Sequence, residues 1–290
     1  MRTTISVDGR PRSFIAVGEP DGPAGRPLVL VFHGSRQNAE AHRTFSGRLL
    51  DRLAENGRAV VAYLDGYRGN WNDARAASSF PARREQIDDV AFARATVDAL
   101  VASHGVDPGA VVGVGYSNGG QTIFRLLHEE PPLLAGAVAI AATMPDADGF
   151  LLRWSSEPRH PVPVTLIAGT SDPIVPYDGG TMAWWARTLF RVGGTALSAV
   201  DTARYFASRN GITEPATTRL LSAESTADAA VRMERTAYGA GTSAPVLLYT
   251  VIGGGHTIPG ATRAPAIIGR TGRERGIDEI VGEVLGSLGR

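Results

Sequence analysis

VVGVGYSNGGQTIFRLL, residues 111–127, decides the reading of this chain. An apolar run with β-branched residues stops at Gly115, and an amphipathic, helix-like run begins after Ser117. Gly115-Tyr116-Ser117-Asn118-Gly119 fits the pattern G-x-S-x-G, placed between a strand and a helix. In that setting the serine sits on a tight, strained turn, and small residues on both sides let strand and helix pass closely. The hydroxyl is then held clear of its own backbone. The N–H of Asn118 points into the same space, at the positive end of the helix. A dinucleotide turn is the rival reading, but Asn118 stands where G-x-G-x-x-G needs its third glycine.

A serine hydroxyl needs a base to take its proton, and the base needs a carboxylate to orient it. Both are offered downstream. LIAGTSDPIVP places Asp172 just beyond an apolar run, and LLYTVIGGGHTIPG places His256 on a glycine-rich loop after another. The order Ser, Asp, His, each following a strand, delivers all three to the carboxyl edge of a parallel sheet. Asp178, Asp146 and Asp148 are rival acids, Asp178 first among them because it shares the loop of Asp172. FHGS (32–35) follows the strand that should supply a second donor. The backbone N–H groups of Ser35 and Asn118 are therefore expected to form an oxyanion hole, with His33 bracing that loop.

Outward from the motif, apolar runs alternate with helical segments. TTISV and RSFIAV around DGRP read as a hairpin. LVLVFHG, RAVVAYLDG, AVVGVGY, LAGAVAIAA, PVTLIAGT and PVLLYTVIGGG read as buried strands. Residues 40–56, 85–105, 118–129 and 274–288 read as helices, the second stopped by Gly105. SAVDTARYFASRNG carries an S-x-x-D start at Ser198 and a glycine stop at Gly211. This predicts an α/β fold with a mainly parallel sheet and helices on both faces. One domain is expected over 1–290, with residues 179–244 as an insertion over the sheet edge.

Composition narrows the chemistry. The 29 basic residues are all arginine, since the sequence has no lysine, and they balance 29 acidic residues. Without lysine there is no P-loop lysine, Schiff base or S-x-x-K nucleophile. Without cysteine there is no disulfide, thiolate nucleophile or Cys-ligated zinc. Zero net charge gives no reason to expect nucleic acid or an anionic membrane as partner. No cofactor and no metal are expected. The first residues, MRTTISVDGR, lack the apolar run of a secretory signal, so a cytoplasmic location is expected; a chain trimmed of such a leader would read the same.

The ordered set SVDGRPRSFIAV, PLVLVFHGS, YLDGYRGNWND, DDVAFARATVDAL, VDPGAVVGVGYSNGG, GTSDPIVPYDGG, SAVDTARYFASRNG and GGGHTIPG covers most of the chain. It resembles α/β-hydrolases of the poly(3-hydroxybutyrate) depolymerase and feruloyl-esterase type. The resemblance implies Ser117, Asp172 and His256 as a catalytic triad, the Ser35 and Asn118 amides as the oxyanion hole, and an ester as substrate. Leu64 and Ile258 depart from it, standing where that group commonly has Pro and Trp. His33, Trp71, Tyr177 and Trp184 are candidate substrate contacts, Trp71 because a bulky ring on the polar connector 67–84 suggests exposure. Trp185 and Phe190 are expected to cover the insertion's own core. An acyltransferase or thioesterase on the same triad, or a binding protein without turnover, remain alternatives at this point.

Overall fold

A computed structural model describes residues 1–155, 160–190, 192–221, 231–261 and 265–288, without the side chains of 189 and 190. The strands are β1 (Arg2–Val7), β2 (Arg10–Val17), β3 (Arg26–Phe32), β4 (Val60–Leu64), β5 (Val106–Tyr116), β6 (Gly136–Ile140), β7 (Val164–Gly169), β8 (Gly180–Thr181), β9 (Thr195–Ala196), β10 (Thr217–Leu220), β11 (Arg232–Tyr238) and β12 (Val246–Ile252). The helices are α1 (Ala39–Phe45), α2 (Asp51–Glu55), α3 (Pro81–Arg84), α4 (Asp89–His104), α5 (Asn118–Glu129), α6 (Trp184–Phe190), α7 (Ala199–Arg209) and α8 (Ile277–Ser287).

Ten strands form one sheet in the order β1-β2-β4-β3-β5-β6-β7-β12-β11-β10. The six from β4 to β12 are parallel to one another, and antiparallel pairs flank them at each side. The pleat explains the two-sided burial. Leu28, Leu30 and Phe32 feed one core with Phe92 and Val97 of α4, Phe124 of α5 and Phe206 of α7. Val29 and Val31 feed the other with Leu53 of α2 and Ile280 and Val281 of α8. Each fully buried Val, Leu or Phe contributes roughly 1.5–3 kcal/mol relative to exposure.

Most boundaries follow local chemistry. Asp88 caps α4 by accepting the N–H of Ala91, and Gly105 closes that helix in the left-handed region. Ser198 caps α7 through the N–H of Asp201. The helix expected over 40–56 is instead two short ones. Gly47 and Arg48 both have positive φ (67° and 56°), which no α-helix can carry through. Residues 179–244 also do more than lie over an edge. Phe206 of α7 enters the main core, and β10 and β11 extend the sheet itself. The ribbon β8–β9 and α6 make up the rest of that stretch among the described residues.

The registers of the parallel strands place Phe32, Gly115, Tyr116, Ile140, Ile167 and Gly169 near one edge of the sheet. The loops that matter leave from there.

Candidate active site

Ser117 adopts φ 53°, ψ −111°, a sparsely populated region for a residue with a Cβ. Such a conformation costs on the order of 1–3 kcal/mol and persists only where its surroundings enforce it. Here they do. The Ser117 N–H donates to the Ile140 carbonyl (2.8 Å), and its carbonyl accepts from the Gln121 N–H (3.1 Å). The flanking glycines are required sterically. A Cβ on Gly115 would lie 2.2 Å from the Gly119 carbonyl oxygen, and one on Gly119 would lie 2.0 Å from that of Phe32. The second contact also brings the start of α5 against the end of β3, which carries the loop of Ser35.

Three loops converge on this turn. His256 Nε2 lies 2.9 Å from Ser117 Oγ, and His256 Nδ1 lies 2.7 Å from Asp172 Oδ2. The other carboxylate oxygen, Oδ1, accepts the N–H groups of Ile174 (2.8 Å) and Val175 (2.9 Å), so the carboxylate cannot rotate freely. His256 is buried. Its backbone N–H donates to Ile268, and its carbonyl accepts the Tyr116 hydroxyl (2.8 Å). The Tyr116 ring lies 5.2 Å from the imidazole, and burial raises the pKa of its hydroxyl, which stays a proton donor. A hydroxyl, an imidazole and a fixed carboxylate thus form one hydrogen-bonded line of the kind that moves a proton off a nucleophile.

Ser35 and Ser117 face the same pocket, walled further by Arg75, Gln121, Ala142 and Met182. The connector 67–84 reaches both loops. The Trp71 indole N–H donates to the His33 carbonyl (2.8 Å), and the Trp71 backbone N–H donates to Asn118 Oδ1 (3.0 Å). The Asn118 amide also donates to the buried carboxylate of Asp73, which binds Arg75 as well. One residue therefore ties together the two loops whose N–H groups were expected as oxyanion donors.

Trp71 as a substrate contact is corrected by this arrangement: its ring is completely buried, edge-on to Phe32 (5.2 Å) and tilted against His33 (4.8 Å). The connector looked solvated because it is polar. It is instead tied down internally: the Asn72 backbone N–H donates to Asp89 and its side-chain amide to the Ile87 carbonyl, and Asp73 binds Arg75 and Asn118. His33 is likewise a brace and not a contact. Its Nδ1–H donates to the Gly34 carbonyl (2.7 Å), its Nε2 accepts the Gly66 N–H (2.9 Å), and it is 1% exposed. Tyr177 is half-buried against the main core and bonds Thr250 through its hydroxyl (2.8 Å). Trp184 is 74% exposed and does not wall the pocket. Met182, two residues earlier, does. Trp185 is half-buried, and the Phe190 side chain lies outside the described residues. Arg75, Gln121 and Met182 were missed. Gln121 was legible, because it stands one helical turn beyond Ser117; Arg75 and Met182 depend on how two irregular segments fold back.

Burial lowers the pKa of His33 to about 4 and that of His42 to about 3. An unfolded histidine near 6.5 binds a proton that the native state excludes. Stability is therefore full above pH 6.5 and falls as the pH drops toward 4, by on the order of 1 kcal/mol per pH unit for each of the two. Urea denaturation between pH 7 and 4.5 should show this loss, reduced by about half in a His42→Gln variant.

The fold defines the class first: an α/β-hydrolase. The comparisons agree on the class. The chain is 32% identical over 279 residues to "Putative esterase NocK" of Nocardia uniformis subsp. tsuyamanensis, covering 93% of this chain and 78% of that protein. It is 26% identical over 163 residues to "Feruloyl esterase B" of Piromyces equi, covering 55% of this chain and 28% of that longer protein. Among solved structures it is similar to the acetyl xylan esterase from Aspergillus awamori, with a TM-score of 0.58, 14% identity and coverage of 89% and 95% of the two chains. No protein-family model matches the chain. The chain belongs to the esterases of the α/β-hydrolase type and is a carboxylic ester hydrolase.

Proposed function

We propose that the protein hydrolyses carboxylic esters through a covalent acyl-enzyme on Ser117. The observation that carries this reading is the unbroken line Ser117–His256–Asp172, at 2.9 and 2.7 Å. His256 Nε2 takes the Ser117 proton as Oγ attacks the ester carbonyl. Asp172 keeps the Nδ1 proton in place and stabilises the imidazolium that forms. The Ser35 and Asn118 N–H groups hold the negative oxygen of the tetrahedral intermediate, a donor of this kind being worth about 10²–10³ in rate. His256 then gives its proton to the leaving alcohol. A water, deprotonated by the same imidazole, releases the acid and restores Ser117.

The pocket beside the serine, closed in by Ala141, Ala142, Ile174, Val175 and Met182, favours single ester groups with a compact acyl part. Short acyl esters, hydroxycinnamoyl esters and oligomers of 3-hydroxybutyrate are the substrates to compare, the last two because of the sequence resemblance. Turnover is expected to be greatest with short, soluble p-nitrophenyl acyl esters. Steady-state hydrolysis of the whole panel at neutral pH tests this; no turnover of any member would overturn the reading.

A further inference from the structure

Among the described residues, Arg75 is the one charged residue on the wall of the pocket that Ser117 opens into. Its guanidinium is held in place but only partly used. Nε and Nη2 donate to the carboxylate of Asp73, which is completely buried. The Phe80 ring backs it, with Cζ 5.8 Å from the ring centroid. A guanidinium carries more N–H donors than one carboxylate takes. Nη1 has no acceptor among the described residues, and it is not one of the sealed atoms, since the side chain keeps 15% of its surface open. Nη1 is thus a donor that a substrate can reach.

The charge behind Arg75 is not balanced. Arg125, whose Nη1 reaches the Asn72 carbonyl (2.6 Å), is matched by Glu129, and Arg12 is matched by Asp89. Arg83 lies against the backbone of Arg75, donating to its carbonyl (2.8 Å) and to that of Asp73, and has no carboxylate partner among the described residues. Asp73 therefore answers one of two guanidiniums. The charge left over stands where water is largely excluded, so it acts more strongly than it would in solution. Asp73 holds the Nε–Nη2 edge, and a second carboxylate at Nη1 would meet the guanidinium from its other side. Such a group gains a charge-assisted hydrogen bond, where a neutral acceptor gains a weaker one and a methyl group none.

The position says which half of the ester is read. The leaving oxygen must come within reach of His256 Nε2 to receive its proton. His256 is not on this wall, whereas Ser117 is. The pocket therefore takes the acyl part. Between the serine and Arg75 the wall is mostly apolar, with Ala141, Ala142, Ile174, Val175 and Met182. An acyl part that fits has its carbonyl at Ser117, a short run of methylenes along this apolar stretch, and an anionic end at Arg75.

We infer that Arg75, oriented by Asp73 and reinforced by Arg83, is a specificity-determining residue that binds a carboxylate on the acyl part, so that the enzyme selects monoesters of short dicarboxylic acids over esters with a methyl or a neutral polar end. This rests on the ester-hydrolase reading above and deepens it. A site built around a donor discriminates well, because a substrate without the matching acceptor leaves that donor unpaired in a place with little water.

The experiment compares kcat/KM at neutral pH for ethyl esters matched in acyl length: the hemiesters of succinic, glutaric and adipic acid, and at each length the methyl-ended and the primary-amide-ended ester. Ethanol is a poor enough leaving group that the free carboxylate does not expel it unaided. At one length the hemiester should exceed both neutral esters by on the order of 10-fold or more. In Arg75→Met the ratio of hemiester to methyl-ended kcat/KM should fall to about one. That variant leaves the buried Asp73 carboxylate without its partner, so Arg83→Gln is made beside it; it keeps the Asp73–Arg75 pair, removes the unmatched charge and should lower the ratio several-fold. Hemiesters hydrolysed no faster than the neutral esters at every length would overturn the inference while leaving the ester-hydrolase reading intact. An advantage that survives Arg75→Met, or that survives Arg83→Gln where Arg75→Met does not fold, would overturn it too. No hydrolysis of any ester, methyl-ended ones included, would overturn the ester-hydrolase reading and this subsite with it.

Discussion

Ser117→Ala should lower kcat for p-nitrophenyl acetate by about 10⁴- to 10⁶-fold with KM little changed. The substitution removes one oxygen at a position whose backbone is fixed by the Ile140 and Gln121 hydrogen bonds and by the contacts at Gly115 and Gly119. Alanine meets the same constraint at φ 53° as serine does, so the melting temperature should move little. The pocket walls also remain. What disappears is the only atom that can form the acyl-enzyme, and with it the partner of His256 Nε2. Because the groups act as a unit, adding His256→Ala to Ser117→Ala should cost little more than the single change. A Ser117→Ala protein that kept a tenth of its turnover would show that the hydrolysis proceeds elsewhere.

The second large effect belongs to Asp172→Asn, about 10⁴-fold in kcat. The direction of the loss follows from the loop. Oδ1 of Asp172 accepts two backbone N–H groups, from Ile174 and Val175. In the asparagine the carbonyl oxygen takes that place, since an NH₂ there would face two donors. The NH₂ is then turned toward His256 Nδ1 at the position Oδ2 now holds, 2.7 Å away. A donor facing Nδ1 forces the imidazole proton onto Nε2, the atom that must accept from Ser117. The histidine is present but in the wrong tautomer. Asp178, the rival acid in the sequence, is exposed, and Asp178→Asn should change kcat less than twofold by comparison, as surface substitutions away from such networks usually do. Steady-state kinetics of the two variants side by side separate the assignments.

The convergence of Ser117, Asp172 and His256 was largely legible in the sequence because its signals are written locally. Ser117 is announced by two glycines whose absent side chains can be checked against the backbone they admit. Asp172 and His256 each follow an apolar run that ends in glycine, so strand, stop and functional residue can be read in order. The parallel sheet was legible for the same reason: Leu28 to Phe32 is apolar on both faces, which suits a central strand and little else.

What failed to read was set by tertiary contacts. The run NWNDAR looked like a solvated connector, and Trp71 like a ring waiting for a ligand. Nothing in the spacing says that Asn72 will pair with Asp89 or that Asp73 will neutralise Arg75 beneath the surface. Once those pairs form, the tryptophan is carried inward and becomes a strut between the His33 and Asn118 loops. Residues 40–56 erred in the opposite way. Their apolar pattern suits a helix throughout, but positive φ at Gly47 and Arg48 interrupts it. Met182 enters the pocket wall only because the β8–β9 segment folds back over the sheet edge, a long-range placement without a local signature.

Covalent labelling of the native protein by a serine-directed fluorophosphonate, followed by peptide mass mapping, tests the central claim most directly. The account predicts one adduct per chain, on Ser117 in the peptide containing GYSNGG, formed quickly in the wild type and lost in both Ser117→Ala and His256→Ala. An adduct on another residue, or a folded, ester-hydrolysing protein in which Ser117 stays unmodified, would contradict it.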